Sequence, residues 1–316
     1  MNDPSQNQVR YVEINAEEEG QRLDNYLLRV LKGVPKSHIY RIVRSGEVRI
    51  NMKRSQPATR LHAGDIVRIP PIRISEEKHI SVGPRLAERL LESIIYEDEQ
   101  LIVVNKPAGI AVHGGSGVSL GVIEALRKLR PDLTYLELVH RLDKETSGCL
   151  LLAKRRSMLR AIQALFEART IQKTYWALLM HPWQGKPAVV VDAALEKNIL
   201  KSGERIVKTS DTGKASRTSF KLLENYDDAC WVEAKPKTGR THQIRVHSAY
   251  LGHPIVGDEK YGSSKEMNGV SNIKQRLYLH ARAIQFTIDG REYQFQAELD
   301  EVFIQTRGML RHEKAI

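Results

Sequence analysis

Residues 138–153 constrain this chain more than any other stretch. Leu138-Val139 is an apolar entry, Cys149-Leu150-Leu151-Leu152-Ala153 is an apolar run, and His140-Arg141-Leu142-Asp143-Lys144-Glu145-Thr146-Ser147-Gly148 joins them. The pattern predicts strand, turn, strand, with Gly148 free to take a positive φ where the turn closes. The carboxylate of Asp143 lies among Arg141, Lys144, Arg155 and Arg156. An anionic carboxylate on a rigid turn is a candidate nucleophile. An Asp in such a turn also commonly bonds its own backbone, and this stretch alone leaves both readings open.

The chain has 316 residues, enough for two domains with their own cores. It has no apolar run near the roughly 18 residues of a membrane span, and Met1-Asn2-Asp3-Pro4-Ser5-Gln6 is not a secretory leader. Cys149 and Cys230 are the only cysteines, which excludes a disulfide framework and a paired-Cys zinc site and suits a reducing cytoplasm. The net charge is +11 and unevenly placed. Between Gly20 and Arg73, twelve Lys or Arg stand against Asp24, Glu47 and Asp65, a net of +9. A concentrated basic segment is the footprint of a polyanionic partner, most often nucleic acid.

Within that segment Leu23, Tyr26, Leu27, Val30 and Leu31 fall on one helical face, with Gly33 and Pro35 as stops. A second helix is expected over Lys36 to Arg44, burying Ile39, Ile42 and Val43 while Arg41 and Arg44 point away. Val48 and Ile50 mark a strand, Asn51-Met52-Lys53-Arg54 a turn, and Ile66 to Ile69 another strand. Arg22-Leu23-Asp24, Ser45-Gly46-Glu47-Val48-Arg49-Ile50-Asn51 and Gly64-Asp65, in that order, resemble the RNA-binding domain of the ribosomal protein S-four type, the alpha-L fold. The resemblance implies phosphate contacts from Arg41, Arg44, Arg49, Lys53 and Arg54, which position RNA without reading sequence. The expected layout is a flexible tail over 1–18 (with an edge strand at Val12 and Ile14), this domain over 19–73, a linker over 74–93 containing a short helix, and a larger domain over 94–316.

The larger domain opens with the strand Leu101 to Asn105, the turn Lys106-Pro107-Ala108-Gly109 and the loop His113-Gly114-Gly115-Ser116-Gly117. That loop reads equally as an RNA-backbone contact or a plain turn. It matches neither a nucleotide P-loop nor a dinucleotide fingerprint, and no glycine-rich methyl-donor site or synthetase nucleotide motif is present. Lys173, Tyr175, Ala177 and Leu179 share one face of an expected strand, where Tyr175 is either a core aromatic or a ring placed under a flat base. In Lys237-Thr238-Gly239-Arg240-Thr241-His242-Gln243-Ile244-Arg245-Val246-His247, Thr241 is expected to cap a helix running to Leu251. A half-buried Arg245 there wants a carboxylate, and Asp143 is a candidate partner. His242 and His247 diverge by about 140° around a helix and share no ligand face, so no metal is expected.

Asn105-Lys106-Pro107, the turn from His140 to Gly148, Lys173-Thr174-Tyr175 and Gly239 to His247 together resemble the RluA-type family of pseudouridine synthases. The loop at His113, the basic domain and the stretch Asn198 to Arg205 are most similar to members acting on large-subunit (23S) ribosomal RNA. The resemblance implies an α+β fold: the small S-four-like domain, then a synthase domain with a mixed, mostly antiparallel sheet, flanking helices and an active-site cleft. It implies isomerisation of specific uridines in large-subunit ribosomal RNA to pseudouridine. Asp143 would be the nucleophile, toward base or sugar, and Arg245 would pair with it. Tyr175 would stack on the base and help remove the C5 proton. His140 and Arg141 would fill the space left by the flipped uridine. Isomerisation involves no net redox change or hydrolysis, so no cofactor is expected. A cytoplasmic monomer without membrane contact is expected.

Overall fold

The computed structural model describes residues 8–31, 34–72, 81–114, 120–199, 205–262 and 275–313. The chain divides into two compact units, Met1–Ser81 and Val82–Ile316.

The first unit runs β1 (Arg10–Glu13), α1 (Leu23–Val30), α2 (Lys36–Arg44), β2 (Arg49–Ile50), β3 (Lys53–Arg54) and β4 (Ile66–Ile69). The two helices form where the apolar spacing places them, and they bury Leu23, Tyr26, Leu27, Ile39, Ile42 and Val43 with Val67 and Ile69 of the sheet. Gly33, one expected stop of the first helix, lies outside the described residues. The sheet order is β1-β4-β2-β3. β1 pairs with β4 and Ile14 is buried beside it, so residues 10–14 are part of this unit and not a free tail. The turn read as four residues is tighter. Only Asn51 and Met52 take positive φ (49° and 66°), and Lys53-Arg54 return as a strand against Arg49-Ile50. Arg22 and Asp24 form a bidentate pair at 3.0 and 2.7 Å that also takes the Tyr40 hydroxyl at 2.8 Å, so this motif ties the two helices together.

The second unit begins with α3 (Pro84–Glu92), then β5 (Ile94–Glu97), β6 (Leu101–Lys106), α4 (Val122–Leu129), β7 (Glu137–Leu138), β8 (Ser147–Ala153), α5 (Arg156–Ala168) and β9 (Gln172–Met180). It continues with β10 (Ala188–Asp192), the hairpin β11 (Leu195–Ile199) and β12 (Arg205–Thr209), β13 (Arg217–Asn225), β14 (Ala229–Pro236), α6 (Gln243–Tyr250), β15 (Leu279–Ile288), β16 (Arg291–Gln296) and α7 (Glu301–Glu313). The α3 segment, expected within a linker, packs Leu90 into the same core as Ile102, Val104 and Leu126. Its apolar residues at helical spacing were the visible sign of that role.

Among the described residues the main sheet orders as β10-β13-β14-β9-β15-β8-β6-β5, with β16 on β15 and β7 on β8. All pairs are antiparallel except β15 with β8. The sheet is therefore mixed and mostly antiparallel, with helices on its faces. Strand β8 is buried along its whole length. Cys149, Leu151 and Ala153 join the core under α5, while Leu150 and Leu152 join the one under α4, as the two-residue alternation requires. Its continuous apolar run is thus the signature of a strand covered on both faces.

Gly148 sets how this strand meets its parallel neighbour. Its φ is +109°, and a Cβ there would stand 2.3 Å from the Ala281 carbonyl oxygen. Gly148→Ala is expected to cost several kcal/mol, because strain at positive φ adds to a clash with backbone that cannot step aside. Urea denaturation of the two proteins tests this; an unchanged midpoint would refute it.

Candidate active site

Asp143, Tyr175 and Arg245 line one cavity of about 520 Å³, together with His140, Arg141, Lys173 and His242. Each comes from a different element. Asp143 sits in the turn before β8, whose own backbone closes through Thr146 N–H donating to the Asp143 carbonyl at 3.1 Å. The turn is also held from outside. The buried Lys106 ammonium donates to the carbonyls of Lys144 (3.0 Å), Pro107 and Ile110 (2.8 Å each). Burial pushes the Lys106 pKa down to about 7, and no carboxylate bonds it directly.

Tyr175 lies on β9, opposite Ala234 of β14. Burial, followed by the nearby Asp143 charge, raises its pKa. The phenol is therefore protonated at neutral pH, which suits stacking on a base. Arg245 projects from α6. The entry to that helix is stitched by Gln243, whose Oε1 accepts from Thr238 Oγ1 (2.6 Å) and Arg240 N–H (3.0 Å), and whose Nε2 donates to Arg217 O (3.0 Å) and Thr218 Oγ1 (2.9 Å). Thr241 is not the cap. His242 holds that position with φ +53°, and its side chain leaves the helix end to reach the cavity.

Arg245 forms the expected ion pair with Asp143, but its closer partner is a second carboxylate, Asp258. The Arg245 Nε and one terminal nitrogen donate to the two oxygens of Asp258, both at 2.7 Å. The other terminal nitrogen stands 3.8 Å from Asp143 Oδ2, outside hydrogen-bond range. Asp258 is itself fully buried and takes the backbone N–H groups of Lys260 (3.1 Å) and Tyr261 (3.2 Å). A planar guanidinium locked this way is a fixed cation beside Asp143 rather than a mobile one. His242 Nε2 stands 3.7 Å from the same Asp143 oxygen. Asp143 accepts no side-chain hydrogen bond among the described residues, and both of these longer ion contacts are to one oxygen, Oδ2. The cue missed in the sequence was Gly257-Asp258-Glu259-Lys260-Tyr261-Gly262, an Asp in a glycine-bounded turn.

The other histidines point elsewhere. His247 is buried against Thr218, Ser216 and the Ala193 carbonyl, and His253 stacks on Trp183. His140 Nε2 accepts from Leu151 N–H at 3.1 Å, and burial pushes its pKa to about 4, so it is neutral and tethered. Arg141 is exposed, and its side chain makes no polar contact among the described residues. Lys173 is half-buried, donates to Thr238 O at 3.3 Å, and is pushed down to about 8 by burial.

In the first unit Arg41, Arg44, Lys53 and Arg54 are exposed. Arg41 pairs loosely with Glu47 (3.6 Å), and Arg44 lies over the Tyr40 ring. Arg49 is half-buried and donates to Gly46 O at 3.1 Å, which braces the connection from α2 into β2.

Residues 100–250 match the family model described as RNA pseudouridylate synthase, and residues 21–67 match the S4 domain. The ribosomal large subunit pseudouridine synthase C of Pasteurella multocida is 51% identical over 97% of this chain and 95% of its own length. The protein of the same name from Escherichia coli strain K12 is 51% identical over 93% and 94%. The chain belongs to the RNA pseudouridylate synthase family. Among solved structures, human RNA pseudouridylate synthase domain containing 4 superposes with a TM-score of 0.60 at 30% identity, over 72% of this chain and 96% of that one. An S4 domain therefore precedes a pseudouridine synthase domain, and the protein is an RNA-modifying isomerase. Asp143, Tyr175, His242 and Arg245 all fall inside the synthase match, whereas Asp258 and Tyr261 lie beyond it.

Proposed function

We propose that this pseudouridine synthase isomerises specific uridines of large-subunit (23S) ribosomal RNA, with Asp143 as the nucleophile acting on a flipped-out nucleotide. One observation carries the reading. A carboxylate without side-chain hydrogen bonds lines a cavity of nucleotide size, flanked by a fixed cation and a phenol, in a chain of this family. The relatives named ribosomal large subunit pseudouridine synthase C supply the RNA.

In the reaction the bond from C1′ to N1 breaks, a bond from C1′ to C5 forms, the C5 proton leaves and N1 regains one. Nothing is oxidised or hydrolysed. Asp143 attacks, Arg245 holds positive charge beside it, and Tyr175 offers a flat face to the base. Flipping costs a few kcal/mol, recovered by stacking and backbone contacts. Arg141, exposed and unengaged, is the better wedge for the vacated stack; the tethered His140 forms the wall behind it. Purified protein incubated with unmodified large-subunit ribosomal RNA is expected to produce pseudouridine at discrete positions. Modification of transfer RNA alone would overturn the substrate assignment.

The S4 domain anchors the RNA through phosphates, with Lys53 and Arg54 on its exposed strand and Arg41, Arg44 and Arg49 nearby. Replacing Lys53 and Arg54 together by alanine is expected to reduce the slope of log affinity against log salt by about one to two, since each phosphate contact contributes about 0.7–0.9. An unchanged slope would remove these residues from the interface. We place the protein in the cytoplasm as a monomer, in keeping with its two buried free thiols, Cys149 and Cys230. Light scattering of the purified chain checks the monomer.

A further inference from the structure

We propose that Tyr261 sets the tautomer of His242, so that His242 aims an N–H at Oδ2 of Asp143 and acts with Arg245 as a positioning residue for that carboxylate. The inference rests on Asp143 being the reacting group.

The tautomer follows from counting donors and acceptors. The Tyr261 oxygen accepts the backbone N–H of Val207 at 3.1 Å and lies 2.7 Å from His242 Nδ1. Its own hydroxyl proton needs an acceptor, and His242 Nδ1 is the one in reach among the described residues. Nδ1 then carries a lone pair, and the imidazole proton sits on Nε2, the nitrogen 3.7 Å from Asp143 Oδ2. The reverse tautomer fails twice. It would leave the phenol proton without an acceptor, and it would point a lone pair at a carboxylate. A doubly protonated ring is disfavoured because burial lowers the His242 pKa.

The support behind Tyr261 is the support behind Arg245. Asp258 holds the Arg245 guanidinium through both oxygens and the Tyr261 backbone N–H through one of them. The guanidinium also lies 5.1 Å above the Tyr261 ring. One buried carboxylate thus aligns two donors whose nearest approach is to the same oxygen of Asp143. Both gaps, 3.7 and 3.8 Å, are ion-pair distances longer than a hydrogen bond. They close with a shift of under about 1 Å, as catalytic contacts do when substrate arrives. Val207 belongs to β12, so the β11–β12 hairpin takes part in fixing the tautomer.

The test combines spectroscopy and kinetics on the full-length protein. Histidine-labelled wild type, with His242→Gln identifying the resonance, is expected to show His242 protonated on Nε2, and Tyr261→Phe a mixture of tautomers. His242→Gln still presents an amide N–H near Oδ2 and is expected to keep kcat within about tenfold. His242→Phe is expected to lose about 100-fold in kcat with KM for RNA little changed, the scale of one preorganised donor. Matching thermal midpoints would show that each variant folds. Finding His242 protonated on Nδ1 in the wild type, or wild-type turnover by His242→Phe, would overturn the inference. Retained activity in Asp143→Asn would instead remove the reacting group, while the tautomer measurement would stand or fall by itself.

Discussion

Asp143→Asn is expected to abolish pseudouridine formation while leaving RNA affinity within about twofold. The amide is nearly the same size as the carboxylate and fits the same turn, which is held by Thr146 N–H and by Lys106, not by the Asp143 side chain. Nucleophilicity is what changes. Loss of a group that forms the covalent intermediate lowers turnover by about 10⁴–10⁶-fold in enzymes where it has been separated from binding. Tritium release from RNA carrying 5-tritiated uridine reads turnover, and filter binding reads affinity. Tritium release at a tenth of the wild-type rate would exclude Asp143 as the nucleophile. Loss of binding together with activity would assign it instead to holding the RNA.

Asp258→Ala is expected to have the largest effect on stability of any single change around the site. Asp258 is fully buried, its partner Arg245 is 12% exposed, and the pair is bidentate. Removing the carboxylate strands a buried guanidinium, which costs about 3–5 kcal/mol. It also frees the backbone N–H groups of Lys260 and Tyr261, each of which then needs another acceptor. Activity should fall with stability, because the cation beside Asp143 and the tyrosine behind His242 both lose their anchor. Urea denaturation gives the stability change, and a shift smaller than 1 kcal/mol would contradict a buried, energetically coupled pair. Replacing Arg245 and Asp258 together with apolar residues of similar volume should recover much of the stability and none of the activity, which separates the two roles.

Local periodicity made much of the fold readable. α1 and α2 were visible because their apolar residues repeat at helical spacing between a basic face and a proline, and β8 because its five apolar residues follow a glycine that closes a polar turn. Tyr175 was visible through strand alternation, Asp143 through a turn crowded with cations between two apolar runs, and Arg245 through its place beside the buried face of a helix. What stayed hidden depends on tertiary pairing. Arg245 was matched to Asp143 because both stood out, whereas its bidentate partner is Asp258, brought in by a turn that no period marks. Lys106 looked like part of a surface turn, yet it is buried beneath the Asp143 turn because three carbonyls converge on its ammonium. His242 was weighed only as a metal ligand; its left-handed backbone, which turns it into the cavity, is set by the loop and not by the helix pattern.

The most direct test is a map of pseudouridines in large-subunit ribosomal RNA from cells lacking this protein, each complemented with wild type or with Asp143→Asn. The proposed function predicts that specific pseudouridines disappear, return with the wild-type protein and stay absent with the variant. An unchanged map in the deletion strain, or full restoration by Asp143→Asn, would contradict it.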